Sequence, residues 1–179
     1  GKKRLPGFSG EWKEVTLSNV IKIGRGFAFK STQYEENGRR IVRVTNIAPS
    51  GAIDLQDCVY IAENTVHKFS KYELLDKDIL LVMVGATAGK LGYVTQESLP
   101  ALLNQNMWLL RSKNKDLLSQ NFFRYIVHKI VVKYMLSQQG SARGFFTQST
   151  FEILMFKIPP LPEQQAIAKV LSSADREVE

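Results

Sequence analysis

The chain has 179 residues, 44% of them hydrophobic, and a formal net charge of +7, enough apolar material for a sizeable core and too much for a disordered chain. One cysteine, Cys58, and two histidines, His67 and His128, exclude an internal disulfide and argue against a cysteine- or histidine-rich zinc centre. No apolar run reaches the ~18 residues needed to span a bilayer, and Lys2-Lys3-Arg4 leads into Leu5-Pro6-Gly7 without the apolar core of a signal peptide, so no membrane association and a cytoplasmic location are expected.

In chain order, Trp12–Val15 reads as a short strand and Thr16–Ile23 as a short helix closed by Gly24. Arg25–Gly38 is a polar, glycine-bearing loop. The alternation of β-branched residues over Arg40–Ile47 predicts a strand, followed by a turn at Pro49-Ser50-Gly51. Val59–Ile61 is a further strand candidate and Asn64–Phe69 a helical turn. Asp78–Val84, almost continuously apolar, is the best buried strand. Gly85–Gly92 forms a tight connection into a strand at Tyr93–Thr95, and Leu102–Arg111 makes another, with Asn104, Gln105 and Asn106 at its entrance. From Asp116 to Gln139 the period becomes helical: Leu118, Phe122, Ile126 and Ile130 recur every four residues. Ser149–Leu154 reads as a short helix, and after Pro159-Pro160 a last helix starts near Pro162. Its apolar residues Ile167, Leu171, Ala174 and Val178 alternate spacings of four and three, the spacing of a coiled coil; a short amphipathic helix folded back onto the domain is the alternative. No stop signal precedes Glu179, so a helix truncated within a longer one is expected.

The charge is unevenly spread. Residues 22–43 carry +4 and residues 101–157 carry +6, whereas residues 44–100 sum to −3 and residues 158–179 to −2. If folding joins the two basic stretches, they make a face that attracts polyanions in a salt-dependent way; the bland alternative is solubility.

The search for catalytic motifs finds none that holds. Gly85-Ala-Thr-Ala-Gly89-Lys90 resembles a phosphate-binding loop, but three residues separate the glycines where four are needed, and Leu91 stands where a magnesium-binding Ser/Thr belongs. The only proline pair, Ile158-Pro159-Pro160-Leu161, is not the Asn/Asp-Pro-Pro-aromatic motif of an adenine methyltransferase, and a glycine-rich cofactor loop is lacking. Glu11-Trp12-Lys13 has no preceding Asp to make a nuclease centre, and nothing ties Cys58 to His67. The expectation is a protein that is not an enzyme, with no metal and no cofactor.

What the chain does hold is side chains suited to nucleic acid: Arg and Lys for guanine edges and phosphates, Asn and Gln for adenine, Ser and Thr for phosphates. They concentrate in three regions. Arg25, Lys30, Ser31 and Arg39 lie in or beside the first loop; Thr87 and Lys90, with Gln105 and Asn106, form the second group; Arg143 and Gln148 lie in the third, Gln138–Ser149. Phe145-Phe146 in that third loop is an aromatic platform for bases or, as is more usual, a core anchor.

Two motifs at the ends are more specific. Arg4-Leu-Pro-Gly-Phe8 with Gly10-Glu-Trp-Lys-Glu-Val15 resembles the opening of a target recognition domain in type I restriction-modification specificity subunits. Ile158-Pro-Pro-Leu-Pro-Glu-Gln-Gln-Ala-Ile-Ala-Lys-Val-Leu171 resembles the junction where such a domain enters its long conserved helix. Arg43-Val-Thr-Asn-Ile47, Gly51-Ala-Ile-Asp54, Asp78-Ile-Leu80 and Leu103-Asn-Gln-Asn106 follow the same family's course. The resemblance implies an α+β fold: a β-rich target recognition domain over residues 1–160 with a packed long helix, then the start of a coiled-coil spacer helix over 161–179. It implies sequence-specific binding of double-stranded DNA at one half of a bipartite target. It also implies docking of methylation subunits, and through them the restriction subunit, on the helix face of Ile167, Leu171, Ala174 and Val178, with self-association as a further use of that face. The Gly1-Lys-Lys-Arg4 start resembles sequence after a central helix, as in a second-half domain or a half-length subunit that dimerises.

Overall fold

The computed structural model describes residues 4–137 and 147–178. In chain order the elements are β1 (Lys13–Thr16), α1 (Leu17–Val20), β2 (Ile21–Arg25), β3 (Arg39–Val42), β4 (Val59–Ile61), β5 (Ile79–Val82), β6 (Leu91–Tyr93), β7 (Ala101–Leu103), β8 (Met107–Ser112), α2 (Gln120–Ser137), α3 (Gln148–Glu152), β9 (Met155–Ile158) and α4 (Leu161–Val178). Turns of 3-10 helix lie at Ser31–Gln33, Val44–Asn46, Glu63–Tyr72 and Gln96–Ser98. The architecture is α+β, as expected. It comprises two compact units, Gly1–Lys22 with Ser112–Glu179, and Ile23–Arg111.

The unit made by the two chain ends is mainly helical. β1 and β9 pair antiparallel from Lys13↔Ile158 to Thr16↔Met155, and Leu17 N–H continues the tie by donating to Leu154 O at 2.9 Å. α2 buries Phe123, Val127, Ile130, Val131 and Tyr134, a three-and-four repeat that lines one side of a helix. Tyr134 is satisfied where it is buried: its hydroxyl lies 2.8 Å from Thr150 Oγ1 and accepts from Thr147 N–H at 3.1 Å. Each fully buried Phe or Leu here contributes roughly 2 kcal/mol.

The other unit is built on sheets. One has the strand order β2-β8-β5-β6 and the other β4-β3-β7. β5 lies antiparallel to β6 (Leu81↔Leu91) and to β8 (Val82↔Met107). β3 is antiparallel to β4 and parallel to β7. The period of two in β3 and β7 divides two cores: Val42 and Leu103 face one with Leu80, Val82 and Met107, while Ile41 and Leu102 face another with Phe29, Ile61 and Val66.

Several elements differ from the sequence expectation. The helix after β1 lasts only four residues, because the β-branched Ile21 and Ile23 continue as β2. The strand expected over Arg40–Ile47 stops at Val42 and turns into 3-10 helix, where Asn46 is buried. The single strand expected over Leu102–Arg111 is two strands in different sheets, separated at Asn106, whose φ of +69° turns the chain. β9, to which the sequence pattern assigns no element, is a strand of a two-stranded sheet and half exposed, so it lacks a buried-strand signature.

Candidate nucleic-acid interface

One end of the four-stranded sheet gathers two of the regions singled out in the sequence. Antiparallel order puts the C-terminal ends of β2 and β5 beside the starts of β8 and β6. Gly26 N–H donates to Met107 O (3.3 Å), Gln105 N–H to Phe27 O (2.9 Å) and Met83 N–H to Asn106 O (3.0 Å). Gly89 N–H closes the β5–β6 connection onto Val82 O at 2.8 Å. Arg25, the Asn104–Asn106 turn and the Gly85–Lys90 connection therefore form one rim.

Glycine is required at the centre of this rim. A Cβ on Gly26 would stand 1.8 Å from the backbone oxygen of Asn104, so any side chain would push the first loop off the turn. Gly85 and Gly89 have φ of +78° and +90°, the left-handed region that favours glycine. They shape a β-connection rather than a nucleotide loop.

The individual side chains are not equally available. Arg25, Thr87 and Asn106 are exposed on the rim, and Lys30 and Ser31 are exposed further along the first loop. Gln105 is half-buried, and its Oε1 is buried without a hydrogen-bond partner among the described residues. It must rotate before both amide atoms can meet a base edge. Lys90 is half-buried and donates its ammonium to the carbonyl of Ile47. Arg39 lies away from the rim, on β3, paired with Glu63 and at 3.4 Å with Glu73. In the other unit, Gln148 is half-buried, its amide 2.7 Å from Glu152 Oε1. Arg143 and Phe145-Phe146 lie outside the described residues.

The basic stretch 22–43 is thus partly neutralised by the acidic one that follows it. Arg43 pairs with Asp57 at 3.1 Å, and Arg40 donates to Ser98 O at 2.9 Å. Asn46, 1% exposed, accepts from Arg43 N–H and donates to Asp54 O and Asp57 O. Buried Asp78 receives both nitrogens of Arg111 (2.7 and 2.6 Å) and Leu75 N–H (2.6 Å), and the Arg111 pKa is pushed up by that pairing.

Sequence reasoning missed a polar seam in the helical unit. Glu163 and Gln164 are both fully buried. Arg4 Nε donates to Glu163 Oε1 at 3.0 Å and its Nη2 to Oε2, while Trp12 Nε1 reaches Oε1 at 3.4 Å. Hydrogen bonds from Arg4 hold the Glu163 carboxyl below the usual carboxylate range against the opposing effect of burial, helped by Arg4's charge and by Trp12. Gln164 accepts from Ser119 N–H and donates to Leu117 O and Pro159 O, each at 2.9 Å. The signal was in the motif Pro160-Leu161-Pro162-Glu163-Gln164, where a charged and an amide side chain open a helix.

The seam decides which side of α4 faces its own unit: Glu163, Gln164 and Ala168 are buried. Of the heptad stripe, Ile167 is half-buried, Leu171 is 37% exposed and Ala174 is exposed; the Val178 side chain lies outside the described residues. α4 packs along α2 of the same unit, where the Tyr125 hydroxyl donates to Asp175 Oδ2 at 2.8 Å.

Burial raises the Cys58 thiol pKa, with Arg40 and Arg43 opposing, so the reactive thiolate is disfavoured. Among the described residues no group of three or more His, Cys, Asp or Glu could hold a metal ion, and no helix is long and apolar enough to cross a membrane.

Comparison with known proteins bears on the whole chain. It is similar to the MjaVIII type I restriction enzyme specificity subunit of Methanocaldococcus jannaschii, at 26% identity over 94% of this chain and 40% of that one. It is equally similar to the EcoAI specificity subunit of Escherichia coli, at 26% identity over 92% of this chain and 28% of that one. The chain thus spans well under half the length of these relatives. Its fold is shared with the HsdS subunit of Thermoanaerobacter tengcongensis (TM-score 0.65, 20% identity, 99% of this chain and 40% of that one). It is also shared with the S subunit of M. genitalium (TM-score 0.62, 17% identity, 93% and 39%). The type I restriction modification DNA specificity domain matches residues 9–179, and the chain belongs to that family.

Proposed function

We propose that this chain binds double-stranded DNA sequence-specifically as a non-catalytic target recognition domain (residues 1–160) with the start of a spacer helix (161–179), reading one half of a bipartite target for a restriction-methylation complex. The observation that carries the reading is the rim of the four-stranded sheet, where Arg25, Thr87 and Asn106 are exposed on elements joined by backbone hydrogen bonds. Asn106 has the chemistry to pair with adenine, Arg25 with guanine or phosphate, and Thr87 with phosphate. Lys30 and Ser31 extend the surface along the first loop, and Gln105 adds a second amide once it rotates. Selection from randomised duplexes with the full subunit tests it. One recurring half-site is expected, with Asn106→Ala relaxing the preference at one base position. Selection of no sequence, or an unaltered preference in Asn106→Ala and Arg25→Ala together, overturns it.

A second role is favoured by the exposed side of α4, where Val170 is 53% and Leu171 37% exposed. On this reading α4 docks the methylation subunits, with self-association as the competing use of the same face. Ile167→Ser with Leu171→Ser is expected to abolish complex formation in size-exclusion chromatography and to leave the domain folded.

A further inference from the structure

α2 carries Arg124, His128, Lys129 and Lys133 and no acidic residue over its 18 positions. Its buried side is accounted for by Phe123, Val127, Ile130, Val131 and Tyr134. The opposite side is apolar as well as basic: Val132 and Met135 are each 41% exposed and Leu136 is 58% exposed. His128, Lys129, Val132, Lys133 and Leu136 line an open groove of about 440 Å³. One turn toward the N-terminus the same stripe enters a second cleft, of about 360 Å³, where Arg124 and Asn121 of α2 face Gln165, Lys169 and Ser172 of α4. From Arg124 to Leu136 the stripe runs for roughly 18 Å along the helix.

We infer that this side of α2 is a docking surface for an acidic amphipathic helix of another polypeptide. Apolar residues of such a helix cover Val132 and Leu136, and its carboxylates meet Lys129 and Lys133 at one end and Arg124 and Lys169 at the other. Two competing occupants fit less well. A nucleic-acid backbone satisfies the cations but offers nothing apolar to Val132, Met135 and Leu136, whose exposure would be relieved by burial against a protein. A second copy packed through the same helix sets a basic row against itself, and like charges at close quarters repel. An acid-bearing, apolar partner helix answers both features. The surface is distinct from the sheet rim and does not depend on the reading of DNA there.

The test uses the full chain and three synthetic peptides of about four helical turns: one with Leu along one face and Glu on its flanks, one of the same composition in permuted order, and one with Lys replacing Glu. Fluorescence anisotropy is expected to show saturable binding of the first peptide alone. Its affinity falls at least about tenfold in Lys129→Glu/Lys133→Glu and in Leu136→Ser, with circular dichroism and thermal unfolding unchanged, since all three side chains are exposed. No saturable binding, equal binding of the permuted peptide, or unaltered binding in both variants overturns the inference. So does a charge-reversal variant that loses duplex DNA affinity but keeps the peptide, which makes the face a nucleic-acid surface. A self-association in sedimentation that the same variants abolish, with no peptide binding, would make the occupant a second copy.

Discussion

Arg4 and Glu163 stand 159 residues apart in the chain and meet through two hydrogen bonds, Nε to Oε1 at 3.0 Å and Nη2 to Oε2, with Glu163 fully buried. The two end motifs of the sequence are thus the two halves of one latch. Because the Glu163 pKa is lowered by folding, the latch stabilises the fold above the ordinary carboxylate range near pH 4.3 and is lost as pH falls through the folded value. Glu163→Gln is therefore expected to unfold at lower temperature than the parent at pH 7, the two melting curves converging as the pH drops below about 4. A constant difference across pH would remove the ion pair as the cause.

Gln164 fixes the start of α4 through three hydrogen bonds to backbone groups of Leu117, Ser119 and Pro159. Gln164→Leu keeps the bulk and strands those groups, at a cost of about 3 kcal/mol. The check is the denaturation midpoint together with faster hydrogen exchange at the Ser119 amide. A variant within about 0.5 kcal/mol of the parent would show that the groups find other partners.

Asp78 is 2% exposed and held by Arg111 in a bidentate pair. Arg111→Met leaves a buried carboxylate with the Leu75 amide alone, and a loss of about 3 kcal/mol is expected in chemical denaturation. The double variant with Asp78→Leu is expected to recover part of it, since the penalty lies in the stranded charge.

Gly26→Ala forces a methyl group against Asn104 O. The first loop then separates from the Asn104–Asn106 turn, and half-site preference is expected to fall much more than secondary-structure content. Retained sequence preference with unchanged affinity would place the reading surface elsewhere than the sheet rim.

Arg25 and Lys90 are expected to differ in kind. Arg25→Ala should lower the slope of log affinity against log salt by about 0.9, the value of one phosphate contact. In Lys90→Met the ammonium that donates to Ile47 O is gone, so the melting temperature should drop while the salt slope stays near the parent's. Equal salt-slope losses would make both residues phosphate contacts.

The periodic parts of the fold were legible from the sequence. The four-residue repeat from Leu118 to Ile130 gave a helix, the run around Ile79–Val82 gave a strand buried at every position, and the Glu63–Tyr72 turn was foreseen over Asn64–Phe69. Local periodicity failed where the chain changes partner. Ala101–Leu103 and Met107–Ser112 read as one strand because both are apolar, yet the left-handed Asn106 sends them into different sheets.

For the candidate site, sequence alone determined the inventory: a basic chain with one cysteine and two histidines, amide and guanidinium side chains in glycine-bearing loops, and end motifs that resemble one family. Tertiary structure decided which of those side chains are buried or bound to distant groups of the fold and which are exposed. Glu63 and Glu73 claim Arg39, 24 and 34 residues away, and the Ile47 carbonyl claims Lys90 across 43 residues. Arg25, Thr87 and Asn106 are left exposed on one rim. The reason is physical: periodicity reports a residue's neighbours within a turn or a pleat, whereas a charge finds its partner through space. Availability for binding is fixed only once every long-range pair has formed.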